Sequence, residues 1–502
     1  MFLLCVDWQQ KPYFLINLQI RIICIFLPIC NIIQHNHFLN LRGYVMKLKY
    51  TLLMAAMANL ANPAHALDKP KTMEEMWKII EAQQQQIDAM KSQLQAAPAP
   101  TPATATASKS TVQTLERKTD VLSQEVEKLR TNLAIPEETK YKSMYGLGPA
   151  ASKIYQVGKG LSIGGYGEAN YQAYVDDKGS SKNNADMERL VLYTGYKFTD
   201  RILFNSELEF EHSKTGGGGN GEVSVEFAAL DFFIDPMANI RAGMLLMPMG
   251  FINPIHEPPF YFGNNRPEVE RQIIPSTWRE IGVGLFGQLT PDLSYTAYIV
   301  NGLNANNFSS SGIRNARQNG SQATAEDFGH VVRLDYTPHY LPGVMVGGSA
   351  YVGNSGQEIP NIDAFTQLYE GHIQWKYRGL EFRALGSWGH IDDAAALSAH
   401  NNTTVGSENY GWYTEVGYDV LPLLMPSTAQ YLAPFFRYEQ FDTLAGVPVG
   451  YSDDLSKDRY IYQFGLQYKP IPNVVIKADY RNFNAQKGDL PDDVNLGFGF
   501  IF

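Results

Sequence analysis

From Gly160 onward, hydrophobic residues recur at every second position. Ile202, Phe204, Ser206, Leu208 and Phe210 alternate with Asn205, Glu207, Glu209 and Glu211. The same pattern sets Leu380, Phe382, Ala384, Gly386 and Trp388 against Glu381, Arg383 and Ser387, and Tyr460, Tyr462, Phe464, Leu466 and Tyr468 against Gln463 and Gln467. A period of two is that of a strand with two unlike faces. It predicts sixteen strands, near 161–175, 189–199, 201–212, 222–234, 238–247, 280–290, 292–301, 328–337, 343–353, 364–377, 379–390, 409–420, 429–442, 458–469, 473–483 and 493–502. Counts of 14 or 18 also fit the pattern.

The connections follow a rhythm. Tight turns such as Thr199-Asp200-Arg201, Thr290-Pro291-Asp292 and Arg378-Gly379 alternate with long polar loops at 176–188, 213–221, 248–279, 302–327, 354–363, 391–408, 443–457 and 485–492. A soluble sandwich has no reason to put every long loop at one end. A transmembrane barrel does, with short turns on one side and long loops on the other. In lipid the apolar face must point outward, so the polar faces line the lumen. Sixteen strands are expected to enclose an aqueous channel rather than a packed interior. The expected fold is therefore an all-β, antiparallel transmembrane barrel of about sixteen strands spanning 161–502.

The last strand ends in Phe498, Phe500 and Phe502, and these aromatics resemble the C-terminal signal that the outer-membrane barrel assembly machinery reads. Ahead of the barrel lie two heptad segments, 67–95 and 111–135. Met73, Ile80, Ile87 and Leu94 form one seam of the first, and Leu115, Leu122 and Leu129 one seam of the second. This is the two-seam pattern of a short coiled coil, and a single amphipathic helix lying on a surface is the alternative. An Ala/Pro/Thr spacer, 96–110, separates them, and a connector, 136–160, leads into the barrel.

Composition changes the picture mainly at the N-terminus. All three cysteines, Cys5, Cys24 and Cys30, fall in the first 45 residues. Residues 46–66 read as a secretory signal: a basic start at Met46-Lys-Leu-Lys49, an apolar stretch, and cleavage at Ala64-His65-Ala66, with Ala64 and Ala66 as the small residues. Residues 1–45 then read as an over-extended gene start, with a membrane anchor near 14–33 as the alternative. Residues 1–66 carry five Lys+Arg and one acid, so the mature chain keeps 36 bases against 50 acids, a net charge of about −14. That balance argues against nucleic acid as a partner. The expected location is the cell outer membrane, with the coiled coil in the periplasm.

The candidate chemistry sits in the third long loop, 248–279. It holds six prolines and the aromatics Phe251, Phe260, Tyr261, Phe262 and Trp278, a composition suited to packing against the inner barrel wall. It also carries His256, Glu257, Arg266, Glu268, Glu270, Arg271 and Arg279 as candidate constriction residues. Arg189, Arg241, Arg333, Arg383, Arg437 and Arg481, with Glu207, Glu209 and Glu211, are candidate lumen-wall charges. Loop acids facing wall arginines would set up a transverse field; loop arginines at the narrowest point would instead favour small anions. The histidines show no metal-ligand spacing, no enzyme motif is present, and no metal or cofactor is expected. The acid pairs Asp392-Asp393, Asp453-Asp454 and Asp492-Asp493 are expected in external loops, solvated or bridged by divalent ions to lipopolysaccharide.

Met247-Pro-Met-Gly-Phe251, His256-Glu-Pro-Pro259, Asn265-Arg-Pro-Glu268 and Ile274-Pro-Ser-Thr-Trp278 resemble the loop region of the phosphate-selective porin O and P family and its wider relatives. With the strand rhythm and terminal Phe, the resemblance spans about 72–502. It implies a homotrimeric porin for small polar or anionic solutes, embedded in outer-membrane lipid and lipopolysaccharide. In that family arginines lead the anion inward and a lysine cluster holds it; the third loop of this chain has no lysine. A structural envelope protein, with the barrel as anchor and the coiled coil as tether, is the expectation from another class.

Overall fold

A computed structural model describes residues 142–175, 181–212, 221–426 and 428–502. The signal segment and both heptad segments lie outside the described residues.

Sixteen antiparallel strands close into one ring. They are β1 (Gly160–Tyr174), β2 (Asn184–Thr199), β3 (Ile202–Glu211), β4 (Glu222–Asp235), β5 (Ala238–Leu246), β6 (Arg279–Thr290), β7 (Leu293–Asn301) and β8 (Phe328–Tyr336), then β9 (Val344–Gly353), β10 (Thr366–Tyr377), β11 (Leu380–Ile391), β12 (Glu408–Tyr418), β13 (Tyr431–Gly446), β14 (Asp458–Ile471), β15 (Val474–Ala485) and β16 (Asp493–Ile501). Each pairs with its sequence neighbours, and β16 returns to β1 in a register running from Tyr166 opposite Ile501 to Tyr174 opposite Asp493. Phe502 completes the seam, its N–H donating to Gly165 O at 2.9 Å. No strand edge is left open, which removes the hazard of an apolar terminal strand.

The wall is inside-out relative to a soluble protein. On β3 the inward Asn205, Glu207 and Glu209 are buried, while Phe204, Leu208 and Phe210 face outward and are partly accessible. On β16 the outward Leu496 and Phe498 are about half exposed, and the inward Asn495 is fully buried. Such a distribution suits hydrocarbon outside and polar partners inside. Among the described residues no helix is long and apolar enough to cross a membrane.

The connections 200–201, 236–237, 291–292, 337–343, 378–379, 419–430 and 472–473 lie at the same end as Gly160 and Phe502. One of them, 419–430, departs from the short-turn rule and carries a turn of helix, Leu421–Leu424. The acid pair at the start of β16 is not in a solvated loop: Asp493 is 1% exposed and Asp492 7%. Asp492 accepts from Tyr480 Oη at 2.6 Å and Phe483 N at 2.9 Å, and Asp493 binds Arg481. These acids tie β15 to β16.

The lumen is not empty. A hydrophobic cluster inside it joins Met247, Met249, Val269, Ile273 and Trp278 of the third long loop to Tyr298, Tyr351, Tyr413 and Phe441 of the wall and to Leu303, Phe308 and Leu397 of neighbouring loops. A second cluster joins Leu147, Ala150 and Ala151, which precede β1, to the inward Tyr166, Val191, Tyr193 and Phe227. The expected open interior is therefore filled over much of its section.

Candidate constriction site

The third long loop (L3, 247–278) folds inward because it offers apolar side chains on one side and free backbone groups on the other. Trp278, fully buried, lies 4.8 Å from the Tyr351 ring and donates from Nε1 to Glu280 at 3.2 Å. Wall glycines make room for the loop. A Cβ on Gly411 would lie 2.9 Å from Ile273 Cγ1, and one on Gly417 would strike the Phe262 ring. Phe262 instead stacks on Phe435 at 5.0 Å.

Wall charges grip the loop backbone. Arg383 donates to Phe260 O at 2.6 Å, Arg437 to Phe262 O at 2.7 Å, and Arg333 to Gly250 O at 2.5 Å. Carboxylates complete the clamp: Glu439 accepts from Val269 N at 3.0 Å, and Asp479 from Asn264 N at 2.7 Å. These five loop peptide groups thus gain charge-assisted partners on leaving water. The remaining wall arginines are also engaged. Arg481 pairs with Asp493 at 2.6 Å, and Arg241 with Asp231 at 2.7 Å. Arg189 pairs with Glu168, with Glu188 at 2.8 Å and with Glu209 at 3.2 Å, and Glu211 lies 3.6 Å away.

The loop's own acids brace the loop. Glu270 accepts from Phe251 N and Ile252 N, both at 2.7 Å, and from Tyr413 Oη at 2.6 Å. Glu268 binds Arg271 at 3.1 Å. Glu257 accepts from Ala150 N at 2.9 Å and Ala151 N at 3.2 Å. Of the loop acids, Glu268 also faces a wall arginine, Arg481 of β15, at 3.6 Å. Arg279 is the first residue of β6 rather than part of the loop, and it binds Glu226 of β4 at 2.7 Å.

Two loop arginines differ from the rest. Arg266 is half-buried, and its Nε and Nη2 atoms are buried without a hydrogen-bond partner. The Arg271 side chain is about half exposed, at 49%. Both line an open cavity of about 290 Å³ with Arg189, His212, Ser276 and Arg314. Burial, then the neighbouring Arg317 and Arg271, push Arg314 down to about 9; burial and Arg279 push Arg317 down to about 10. Both also hold the loop, Arg314 donating to Ser276 O at 2.6 Å and to Arg271 O at 3.0 Å, and Arg317 to Ser276 O at 2.6 Å. Further in, Lys477 of β15 is buried, its Nζ without a hydrogen-bond partner and 3.7 Å from the centre of the Tyr261 ring.

Three features of the site were not read from the sequence. Arg314 and Arg317 lie in the next loop, and Lys477 on a wall strand; their placement beside L3 is tertiary. The third feature is the segment 142–157, expected only as a connector. It enters the lumen: Asn205 Nδ2 donates to Ala151 O at 2.9 Å, Arg241 to Tyr145 O at 3.2 Å, and Arg241 to Tyr155 Oη at 2.9 Å. Its run of small residues, Gly146-Leu-Gly-Pro-Ala-Ala-Ser152, is the signal that such a close fit requires. His256 of L3 meets Glu207 and Glu226 of the wall, and their ligating atoms all lie within 4.8 Å of one another.

A closed sixteen-stranded barrel with a charged third loop folded inward is a porin-like barrel. No family model matches the chain. It belongs to the family of an uncharacterized protein of Aquifex aeolicus (strain VF5), with 40% identity over 371 residues, covering 70% of this chain and 82% of that one. Its fold is similar to that of OmpF from Salmonella typhi, solved with daunomycin (15% identity, TM-score 0.48, 69% of this chain and 98% of that one). It is also similar to the outer membrane channel DcaP of Acinetobacter baumannii (14%, 0.44, 68% and 97%) and to a loop-deleted OmpT, an outer membrane protein of Vibrio cholerae (10%, 0.46, 69% and 100%).

Proposed function

We propose that the protein is a porin of the cell outer membrane that passes small anions, phosphate or short organic acids among them, through a narrow path beside L3. The observation that carries this reading is the state of the cations along the path. Wall arginines that hold the loop are saturated, whereas Arg266 and Lys477 keep unpartnered buried donors, and Arg271 and Arg314 share a cavity with Arg266. Unpaired donors in a low-dielectric site favour an anion over a cation there, whatever the net charge of the chain. A homotrimer, insertion by the barrel assembly machinery, and contact with lipid and lipopolysaccharide belong to the same proposal.

The reversal potential in a salt gradient tests the anion path. Wild type is expected to reverse on the chloride side of zero in a KCl gradient, and the Arg266→Glu, Arg271→Glu double variant closer to the potassium side. Cation preference in wild type, unchanged by the double substitution, would remove both the sign and the site.

A second reading, a structural protein with the barrel as anchor, is favoured by how fully L3 and residues 142–157 occupy the lumen. On that reading the barrel inserts into bilayers without conducting.

A further inference from the structure

The trio Glu207, Glu226 and His256 is not part of the lining of the cavity beside Arg266 and Arg271. It joins three elements that meet only in the folded barrel: β3, β4 and the middle of L3. The β3–β4 pairing explains how Glu226 reaches it. Glu207 pairs with Phe227 and Leu208 with Val225, so Glu226 is the extra residue of a β-bulge. Bulges re-aim side chains, and here both Glu226 and its neighbour Phe227 point inward.

The geometry is that of a ligand set rather than of a finished hydrogen-bond network. His256 Nε2 lies 3.1 Å from Glu207 Oε1 and 3.7 Å from Glu226 Oε2. A metal bound at about 2.0–2.2 Å to each donor would hold such atoms about 3.0–3.5 Å apart. His256 Nδ1 lies 3.2 Å from Asn253 O. A proton on Nδ1, donated to that carbonyl, leaves the Nε2 lone pair facing two carboxylates, the tautomer a metal-bound imidazole requires. Glu226 Oε2 is buried without a partner, and so is Glu207 Oε2. Facing carboxylates in a dry site call for a positive charge, which a metal ion on Nε2 supplies in place of a second proton on His256.

The nearby arginines do not supply it. Arg279 is committed to the other oxygen of Glu226 at 2.7 Å, and Arg189 to Glu168, Glu188 and Glu209. Arg266 is close enough to act on all three electrostatically, but it makes no ion pair with them. One imidazole and two carboxylates suit Zn²⁺, Mn²⁺, Fe²⁺ or Co²⁺ better than Mg²⁺ or Ca²⁺, which prefer oxygen alone.

We propose that Glu207, Glu226 and His256 bind one divalent transition-metal ion that pins L3 to the β3–β4 wall. The proposal does not depend on whether the barrel conducts.

The test uses the untagged full-length protein, purified from outer membranes in detergent without chelator. Elemental analysis is expected to find about one zinc, manganese or iron per chain. After chelation, Co²⁺ is expected to bind at one site with a visible absorption band, and Zn²⁺ to displace it. Glu226→Gln and His256→Asn should each weaken Co²⁺ binding by at least about 100-fold, with heat-modifiable migration on gels reporting that the barrel has formed. Glu257→Gln, next to the site but not a ligand, should bind as wild type does. A metal-free native protein that also fails to take up Co²⁺ or Zn²⁺ stoichiometrically would overturn the proposal. So would folded Glu226→Gln and His256→Asn variants that bind as tightly as wild type. Should both variants fail to fold, the metal content and Co²⁺ titration of wild type decide alone.

Discussion

Arg437 and Arg266 stand at opposite ends of what an arginine inside the barrel can do. Arg437 is 1% exposed and reaches Glu415 at 2.9 Å, Gln463 at 2.7 Å and Phe262 O at 2.7 Å. Removing one partner of such a group leaves the other charge stranded, at a cost of about 3–5 kcal/mol. Arg437→Ala is therefore expected to lower the thermal stability of the barrel and expose L3 to protease. Glu415→Gln combined with Arg437→Gln should cost less than the two single changes added together, as a double-mutant cycle would measure. Arg266 has two unpartnered nitrogens, so Arg266→Gln should leave stability unchanged or raised while it lowers anion preference. Equal destabilisation by both substitutions would mean that Arg266 is a clamp like Arg437. The sequence showed most of the charges on L3 and on the wall, although it put Arg279 in the loop and passed over Lys477. It did not show that Arg333, Arg383 and Arg437 spend themselves on loop carbonyls, because a backbone acceptor leaves no mark in composition.

At the level of elements, the strands were legible because the surroundings impose their period. One face meets hydrocarbon and the other the lumen, so residues on β3, β11 and β14 alternate as the fold requires. The lumen fillings carry no such period. L3 betrayed itself by its prolines and aromatics, but segment 142–157 had only a run of small residues, and the β4 bulge that turns Glu226 inward left no trace at all. The inward position of these elements makes two predictions. Deleting residues 142–157 should leave a folded barrel, because β1 pairs only from Gly160 onward, and should enlarge the single-channel conductance. Gly417→Leu should also enlarge it, by driving the Phe262 ring off its stack and L3 away from β12. If L3 stays protected from protease and conductance is unchanged in the Gly417 variant, the loop does not rest on that strand as described.

On the scale of the whole molecule, the ladder that closes the ring between β1 and β16 is made by residues after Gly160, with Leu147, Ala150 and Ala151 packed on its inner face. Removing residues 67–140 should therefore still give a heat-modifiable barrel, and the mass of the detergent-solubilised deletion would report whether trimer formation rests on the wall or on the heptad segments. A membrane-spanning barrel narrowed from within is expected still to leave a path for small ions. Single-channel recording of the wild-type protein in a planar bilayer addresses this most directly. Discrete current steps are expected, small for a barrel of this width because L3 and residues 142–157 occupy so much of the lumen. Insertion of folded barrels that produce no steps at all would contradict the channel and leave the anchor.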